Sequence, residues 1–461
     1  MTMPRNDSWR WLPPLLAGIG CALTLAIFYP GIMNYDARYV YLDAQRGFYG
    51  DWQSPVMTLL WKLIDPAAPG PASMFLLIAA LYWLGFALLA AALARRSLAL
   101  ACAAPLVALT PPLFVLVGVI WRDVLMAACW LVAMALVYAF HARDRWLAAA
   151  RITALLLIVF GVLIRPNAIA AAPLLIGYAL WPHSFSWKRM LALLVPAMLA
   201  LVVTVQLVYY GALHATRQNP LHSIMVFDLG GITYHSGENQ FPAKWSAEEM
   251  DALRGRCYDP SYWNVYWNGE CKFVMARLEH ELHLFGTPAL TRAWADAIVR
   301  HPLAYLQHRL SFFRTFLLDP QLVMWTTDLD NPSQTVFADR PTFMALKRMH
   351  DVLQPTPLFR MGTWLAAALA VFALGWRRRQ SADGAVVLTA SGSAILYVLS
   401  YLPLGVASEF RYIYWAVIAT AAGALVLFAS RRAPTGTVTD TAIIDNMTSQ
   451  VRPFEAAGKD R

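Results

Sequence analysis

Long apolar runs of membrane-spanning length constrain this chain more than any motif in it. A helix needs about 20 predominantly apolar residues to cross a bilayer core, since its backbone N–H and C=O groups find no water there. Such runs fall at 11–32, 71–94, 98–120, 124–140, 152–164, 168–180, 191–213, 365–374 with flanking residues, 386–404 and 412–429. That makes about ten spans. Of the 461 residues, 59% are hydrophobic and only 14% charged, against about 45–50% apolar and about 25% charged in a soluble domain. The sequence predicts an all-α polytopic membrane protein.

Lys and Arg cluster in alternate loops: Arg95 and Arg96; Arg143, Arg145 and Arg151; Lys188 and Arg189; Arg377 to Arg379; Arg431 and Arg432. The positive-inside rule makes those loops cytoplasmic. These loops account for much of the net charge of +9, so the charge needs no nucleic-acid partner. The amino terminus has a short basic patch before its apolar run but no clean small-residue cleavage site, and reads as an uncleaved first helix.

The expected organisation is an amino-terminal transmembrane module (1–213) with an external first loop (33–70), an external helical region (214–359), carboxyl-terminal membrane helices (360–430) and a flexible cytoplasmic tail (431–461). Cys21, Cys102 and Cys129 fall in apolar runs, whereas Cys257 and Cys271 share the external region. There an oxidising compartment favours a disulfide, with two free thiols as the alternative. The stretch from Arg292 to Leu318 repeats Trp294, Ile298, Leu303, Leu306, Leu310 and Phe313 at helical spacing, with Arg292, Arg300 and Arg309 on a basic side. It predicts amphipathic helices lying on the membrane surface.

The polar residues gather at the external ends of the spans. Asp36, Asp43 and Asp51 follow the first span; Trp121, Arg122 and Asp123 open the fourth; Arg165 and Asn167 follow the fifth; Glu409, Arg411 and Tyr412 open the last. Taken singly, each cluster reads as an interfacial anchor or a local ion pair, Arg122 with Asp123 above all. Taken together, carboxylates and arginines from distant loops at one depth suit an anionic-substrate site with a general base in it. Asp51 reads as the N-cap of a following surface helix. Two louder patterns are discounted. Asp328 to Asp330 imitates a metal–nucleotide motif in an external loop, and His280 and His283 are spaced i, i+3 where a helical zinc pair needs i, i+4.

The run of features Tyr29-Pro30-Gly31, then Asp36, then Asp51-Trp52 with Pro55 opening a helix, followed by Trp121-Arg122-Asp123 and a late Glu409-Phe410-Arg411-Tyr412, resembles the GT-C superfamily of integral-membrane glycosyltransferases. The resemblance covers the amino-terminal half plus that late motif. It departs at Gln53, Ser54 and Pro55, where related membrane proteins often carry a His and two prolines, which leaves position 53 without an assigned role.

The resemblance implies inverting transfer of a sugar from a polyprenyl-phosphate donor to a lipid or glycan acceptor on the external face. The first-loop catalytic aspartate falls on Asp36, with Asp43 as the fallback. Arg122, Arg165 and Arg411 are implied holders of the donor phosphate, where a guanidinium fork suits the leaving group. Asn167, Glu409 and Tyr412 complete the set. Asp123 is either a second acid or the partner of Arg122. A divalent cation is used by some members of the superfamily and not by others. The Ala- and Leu-rich composition, without an organellar targeting segment, suggests a bacterial inner membrane. A transporter or flippase for an anionic or lipid-linked substrate, and a polysaccharide polymerase or ligase, are the competing readings; a transporter is expected to carry charges near the membrane centre.

Overall fold

The computed structural model describes residues 11–142, 144–319 and 337–431. The motif at Asp328 to Asp330 and the segment 432–461 lie outside the described residues. Among the described residues the fold is all helix, with three isolated β-bridges and no strand.

Among the described residues, six helical segments are long and apolar enough to cross a membrane: Pro71–Leu93, Arg122–Phe140, Arg145–Ile164, Trp187–Ala212, Ala382–Leu404 and Phe410–Arg431. The other four expected spans are shorter, that at 365–374 being a helix of 15 residues, Met361–Gly375. The first is α1 (Leu12–Phe28), opened by prolines and 17 residues long. After α2 (Tyr35–Arg46), α3 (Pro55–Ile64) and α4 (Pro71–Leu93), the expected span at 98–120 divides into α5 (Leu98–Ala108), α6 (Pro111–Phe114) and a turn-rich lead into α7 (Arg122–Phe140). Pro111 and Pro112 withhold the amides that would continue α5. After α8 (Asp144–Ile164), the Pro166–Ala170 stretch is a 3₁₀ turn, leaving α9 (Ala172–Leu180) with 9 residues. Then α10 (Trp187–Gln206) runs into a π-helical turn at Leu207–Ala212.

The outer region contains α11 (His222–Ser236), α12 (Ala247–Arg254), the short α13 (Phe273–Met275), α14 (Pro288–Arg300), α15 (Pro302–Leu318) and α16 (Pro341–Leu353). The chain returns through α17 (Met361–Gly375), α18 (Ala382–Leu404) and α19 (Tyr414–Arg431). The core sits where α7 meets α19, with the Trp130 and Trp415 rings perpendicular at 5.2 Å. Each indole N–H is satisfied, by the Ile158 carbonyl at 3.1 Å and the Ser393 hydroxyl at 3.1 Å.

The helix α15 corrects one expectation. Its buried face is Ala304, His308, Phe312 and Phe316, an i, i+4 ridge packed on α11, where Gly231 lacks the Cβ that would strike the His308 ring. Arg309, expected on an exposed basic side, is buried instead. Leu303, Leu306 and Leu310, the most regular part of the apolar pattern, point outward with 74%, 50% and 51% of their surface open. In a protein whose solvent includes lipid, an apolar stripe identifies a face without saying which way that face points.

The basic loops meet at one pole. Arg95 donates to the Ala139 carbonyl, Arg151 to those of Ala179 (2.7 Å) and Leu180 (2.9 Å), and Arg378 to that of Ser430. Arg96 pairs with Asp383 there. At the opposite pole the first loop is stitched into the bundle: Ile32 exchanges hydrogen bonds with Gly118 and Ile120 (2.8 and 3.0 Å), and Thr216 does the same with Tyr49 and Asp51 (2.7 and 3.1 Å). Gly31, at φ 107°, makes the bend that allows this.

Candidate active site

A cavity of about 1060 Å³ opens at this second pole, walled by α2, the residues before α3, the start of α7, the Pro166–Ala170 turn, α10, and the segments around 262–268 and 401–412. All its charged groups come from loops or helix ends.

Asp36 occupies the first turn of α2, whose N-cap Asn34 accepts from the Ala37 amide at 3.0 Å. The helix dipole favours a carboxylate there. Arg411 donates to its Oδ2 at 2.8 Å and Gln53 Nε2 to its Oδ1 at 3.2 Å. Even so, 32% of the side chain stays open. Burial works against its charge, but the guanidiniums of Arg411, Arg122 and Arg165 outweigh that and hold the carboxyl below its ordinary value. Asp36 is therefore ionised at neutral pH.

Arg411 lies in the 3₁₀ turn Phe410–Ile413 that leads into α19. It reaches Glu409 as well as Asp36 and lies over the Trp121 and Tyr412 rings at 4.6 and 5.1 Å. Glu409 accepts from the Tyr262 hydroxyl at 2.5 Å. Burial first, and Glu409 second, push the Tyr262 phenol up, so it remains a donor.

Asp123 pairs with Arg165, at 3.0 Å, and not with its neighbour Arg122. Successive residues on a helix point about 100° apart, so the Arg122–Asp123 pair was never available. Arg165 follows the last residue of α8, and its guanidinium lies over Tyr412 at 5.1 Å. Burial opposes its charge, and Asp123, with Tyr401, Tyr397 and Tyr412, more than compensates.

Arg122 is different. Its guanidinium donates to the Trp52 carbonyl at 3.3 Å, and among the described residues it forms no ion pair. It lines the cavity beside Asp36 with capacity to spare.

The remaining expected residues divide. Asn167 and Tyr412 line the cavity, and Asp43 does not. Asp43 lies two turns along α2 from Asp36, about 10 Å further down its axis. Asp51 is not the cap of α3. Ser54 is, accepting from the Met57 amide at 3.1 Å, while Asp51 accepts from the Tyr210 hydroxyl at 2.7 Å and the Gln218 amide at 2.5 Å. A disulfide joins Cys257 to Cys271. Between them lie Tyr262, Trp263 and Trp267, which line the cavity. Gln53 went unassigned for want of any local signal.

His280 falls in the π-helical turn Ala276–Glu281 and His283 just beyond it. Among the described residues no group of three or more His, Cys, Asp or Glu side chains is placed to hold a metal ion. The four carboxylates that line the cavity are all engaged, Asp36 and Glu409 by Arg411, Asp123 by Arg165, and Asp51 by Tyr210 and Gln218. This donor set does not fit a resident divalent cation, whose shell needs several free oxygens.

Fold and cavity together define a multi-pass helical membrane protein with a charged recess at the pole opposite its basic loops. No family model matches the chain, and no curated protein sequence does. A solved structure of the Archaeoglobus fulgidus oligosaccharyltransferase, tethered with an acceptor peptide containing the NVT sequon via a disulfide bond, is similar over 91% of this chain and 50% of that one, at 12% identity and a TM-score of 0.37. The present chain spans about half the length of that protein.

Proposed function

We propose that this chain is an inverting glycosyltransferase of GT-C type, which moves a sugar from a polyprenyl-phosphate donor to a cell-envelope glycan or lipid on the periplasmic face of a bacterial inner membrane. One observation carries the reading: an ionised Asp36, aimed by Arg411 and Gln53, shares a cavity with Arg122, whose guanidinium has no carboxylate partner among the described residues.

In this reading the acceptor hydroxyl oxygen attacks the anomeric carbon as the bond from that carbon to the donor phosphate oxygen breaks. The bonding pair leaves with the phosphate, and the hydroxyl proton passes to Asp36. A carboxylate with a depressed pKa is a weak base, but it is always ionised. The proton leaves late, when the new C–O bond has made the hydroxyl oxygen acidic. Arg122 meets the charge that grows on the leaving phosphate. Asp123, engaged by Arg165, keeps that guanidinium charged and in place and does not serve as a second acid. The donor chain reaches the cavity along α10, whose Met198, Val202 and Val205 line it while Leu191, Val195 and Leu199 face outward.

The placement of charge argues against a carrier. Within the six long spans of the described residues, Asp, Glu, Lys and Arg lie in the terminal turns, except Arg151, which sits in the second turn of its span, and none lies at mid-membrane where transporters bind ions.

The test is mass spectrometry of polyprenyl-phosphate lipids and envelope glycans from deletion cells restored with the native or the Asp36→Asn protein. The expected result is a glycan lacking one sugar, with its lipid-linked donor accumulating, in both deletion and mutant at normal protein level. Turnover by Asp36→Asn should fall by about 10²–10⁴. Full restoration by Asp36→Asn would remove Asp36 as the base. Unchanged glycans in the deletion would favour the transporter.

A further inference from the structure

We infer that the cavity wall inside the Cys257–Cys271 loop is a stacking platform for a neutral saccharide acceptor; this deepens the transferase reading and rests on it. Trp263 and Trp267 line the cavity with Trp52, their centroids 5.8 Å apart within the pair and 6.0 Å from Trp263 to Trp52. Asn264 and Asn268 line it beside them, and both are exposed. Among the described residues the Asn264 side-chain amide has no partner. Trp267 keeps 36% of its surface open.

Three properties of this wall select its ligand. From Pro260 to Gly269 there is no charged residue, so a phosphate or an acidic chain gains nothing from this segment, in contrast to the part of the cavity with Asp36, Arg122 and Arg411. Indole faces carry negative quadrupole density, which suits the weakly positive C–H face of a sugar ring, while flanking amides suit its hydroxyls. An aliphatic lipid tail would leave those amides unsatisfied. An extended peptide needs a free backbone edge to add to, but this edge is taken: the Trp263 amide donates to the Val406 carbonyl at 2.9 Å and the Ser408 amide to that of Ser261 at 2.9 Å.

The platform is joined to the reacting pole. Tyr262, next to Trp263, holds Glu409 at 2.5 Å, and the Trp52 carbonyl holds Arg122 at 3.3 Å. Trp263 meets Trp267 edge to face and is itself buried, so Trp267 and Trp52 offer the open faces. A ring stacked on either lies in the same cavity as Asp36, and the disulfide ties down the segment that carries Trp267.

The experiment uses the full chain in lipid nanodiscs on an array of immobilised neutral oligosaccharides of hexose, pentose and deoxyhexose units. The expected result is retention on at least one neutral glycan, weakened roughly tenfold by Trp267→Ala and largely kept by Trp267→Phe. Asn268→Ala, a surface change, should weaken retention less than Trp267→Ala and serves as the second variant should Trp267→Ala fail to fold. No retention on any neutral glycan, or equal retention by native protein, Trp267→Ala and Asn268→Ala, overturns the platform. Unchanged envelope glycans in the deletion, with glycan binding still lost in Trp267→Ala, would sink the transferase and leave the platform. Glycans lost with Asp36→Asn while Trp267→Ala binds and restores normally would do the reverse.

Discussion

The two poles of this molecule use arginine in opposite ways. At the basic pole, Arg95, Arg151 and Arg378 donate to carbonyls at the ends of α7, α9 and α19, where orphan carbonyls and the negative end of the helix dipole await a cation. Those contacts finish helices. At the cavity pole, Arg165 and Arg411 are matched to carboxylates from distant segments, and Arg122 is left with a single carbonyl. Groups that complete a fold have their hydrogen-bonding capacity used up by it, whereas Arg122 retains capacity and opens onto a cavity.

That contrast can be broken by substitution. The largest effect on the fold is expected at the cavity pole, where Asp123→Asn leaves the buried Arg165 without its partner; unfolding a buried pair in this way costs about 3–5 kcal/mol, and thermal unfolding in detergent should show it. Arg122→Gln should cost about 10²–10³ in turnover with no change in melting temperature, measured on the same preparations. If Arg122→Gln melts early instead, that residue belongs with the structural arginines.

Next comes acidity. Asp36 is held below its ordinary value, so its ionised form, and the activity needing it, persists as pH falls and is lost only below the usual aspartate range. Arg411→Gln removes the largest opposing influence to burial, so the acid limb of the pH–rate profile should move to higher pH. An unmoved limb would mean that another group sets it. The smallest effect is expected at the basic pole, where Arg151→Gln should cost about 1 kcal/mol through lost carbonyl bonds and leave turnover unchanged.

Much of the fold was legible because apolar runs, prolines and caps act locally. The pairing of Cys257 with Cys271 in one outer segment, and the gathering of Asp36, Arg122, Arg165 and Arg411 at one pole, follow from counting spans and reading the charge of the loops between them. Local rules also explain the misplacements. Asp51 and Ser54 are both good caps, and the choice between them depended on Tyr210 and Gln218 reaching Asp51 from more than 150 residues away. The stripe of Leu303, Leu306 and Leu310 had the right period, but period alone cannot say whether an apolar face meets protein or lipid.

What the sequence by itself determined is therefore the class: helices, their approximate ends, and the gathering of polar groups at one pole, all set by hydrophobic length and charge. Only the tertiary structure decided the partnerships. Asp36 meets Arg411 across 375 positions of chain, Asp123 turns from Arg122 to Arg165, and Gln53 acquires a role that no neighbour announces. Each such pairing depends on helices approaching within a few ångströms, and the residues that bring them together are packing residues far from the site.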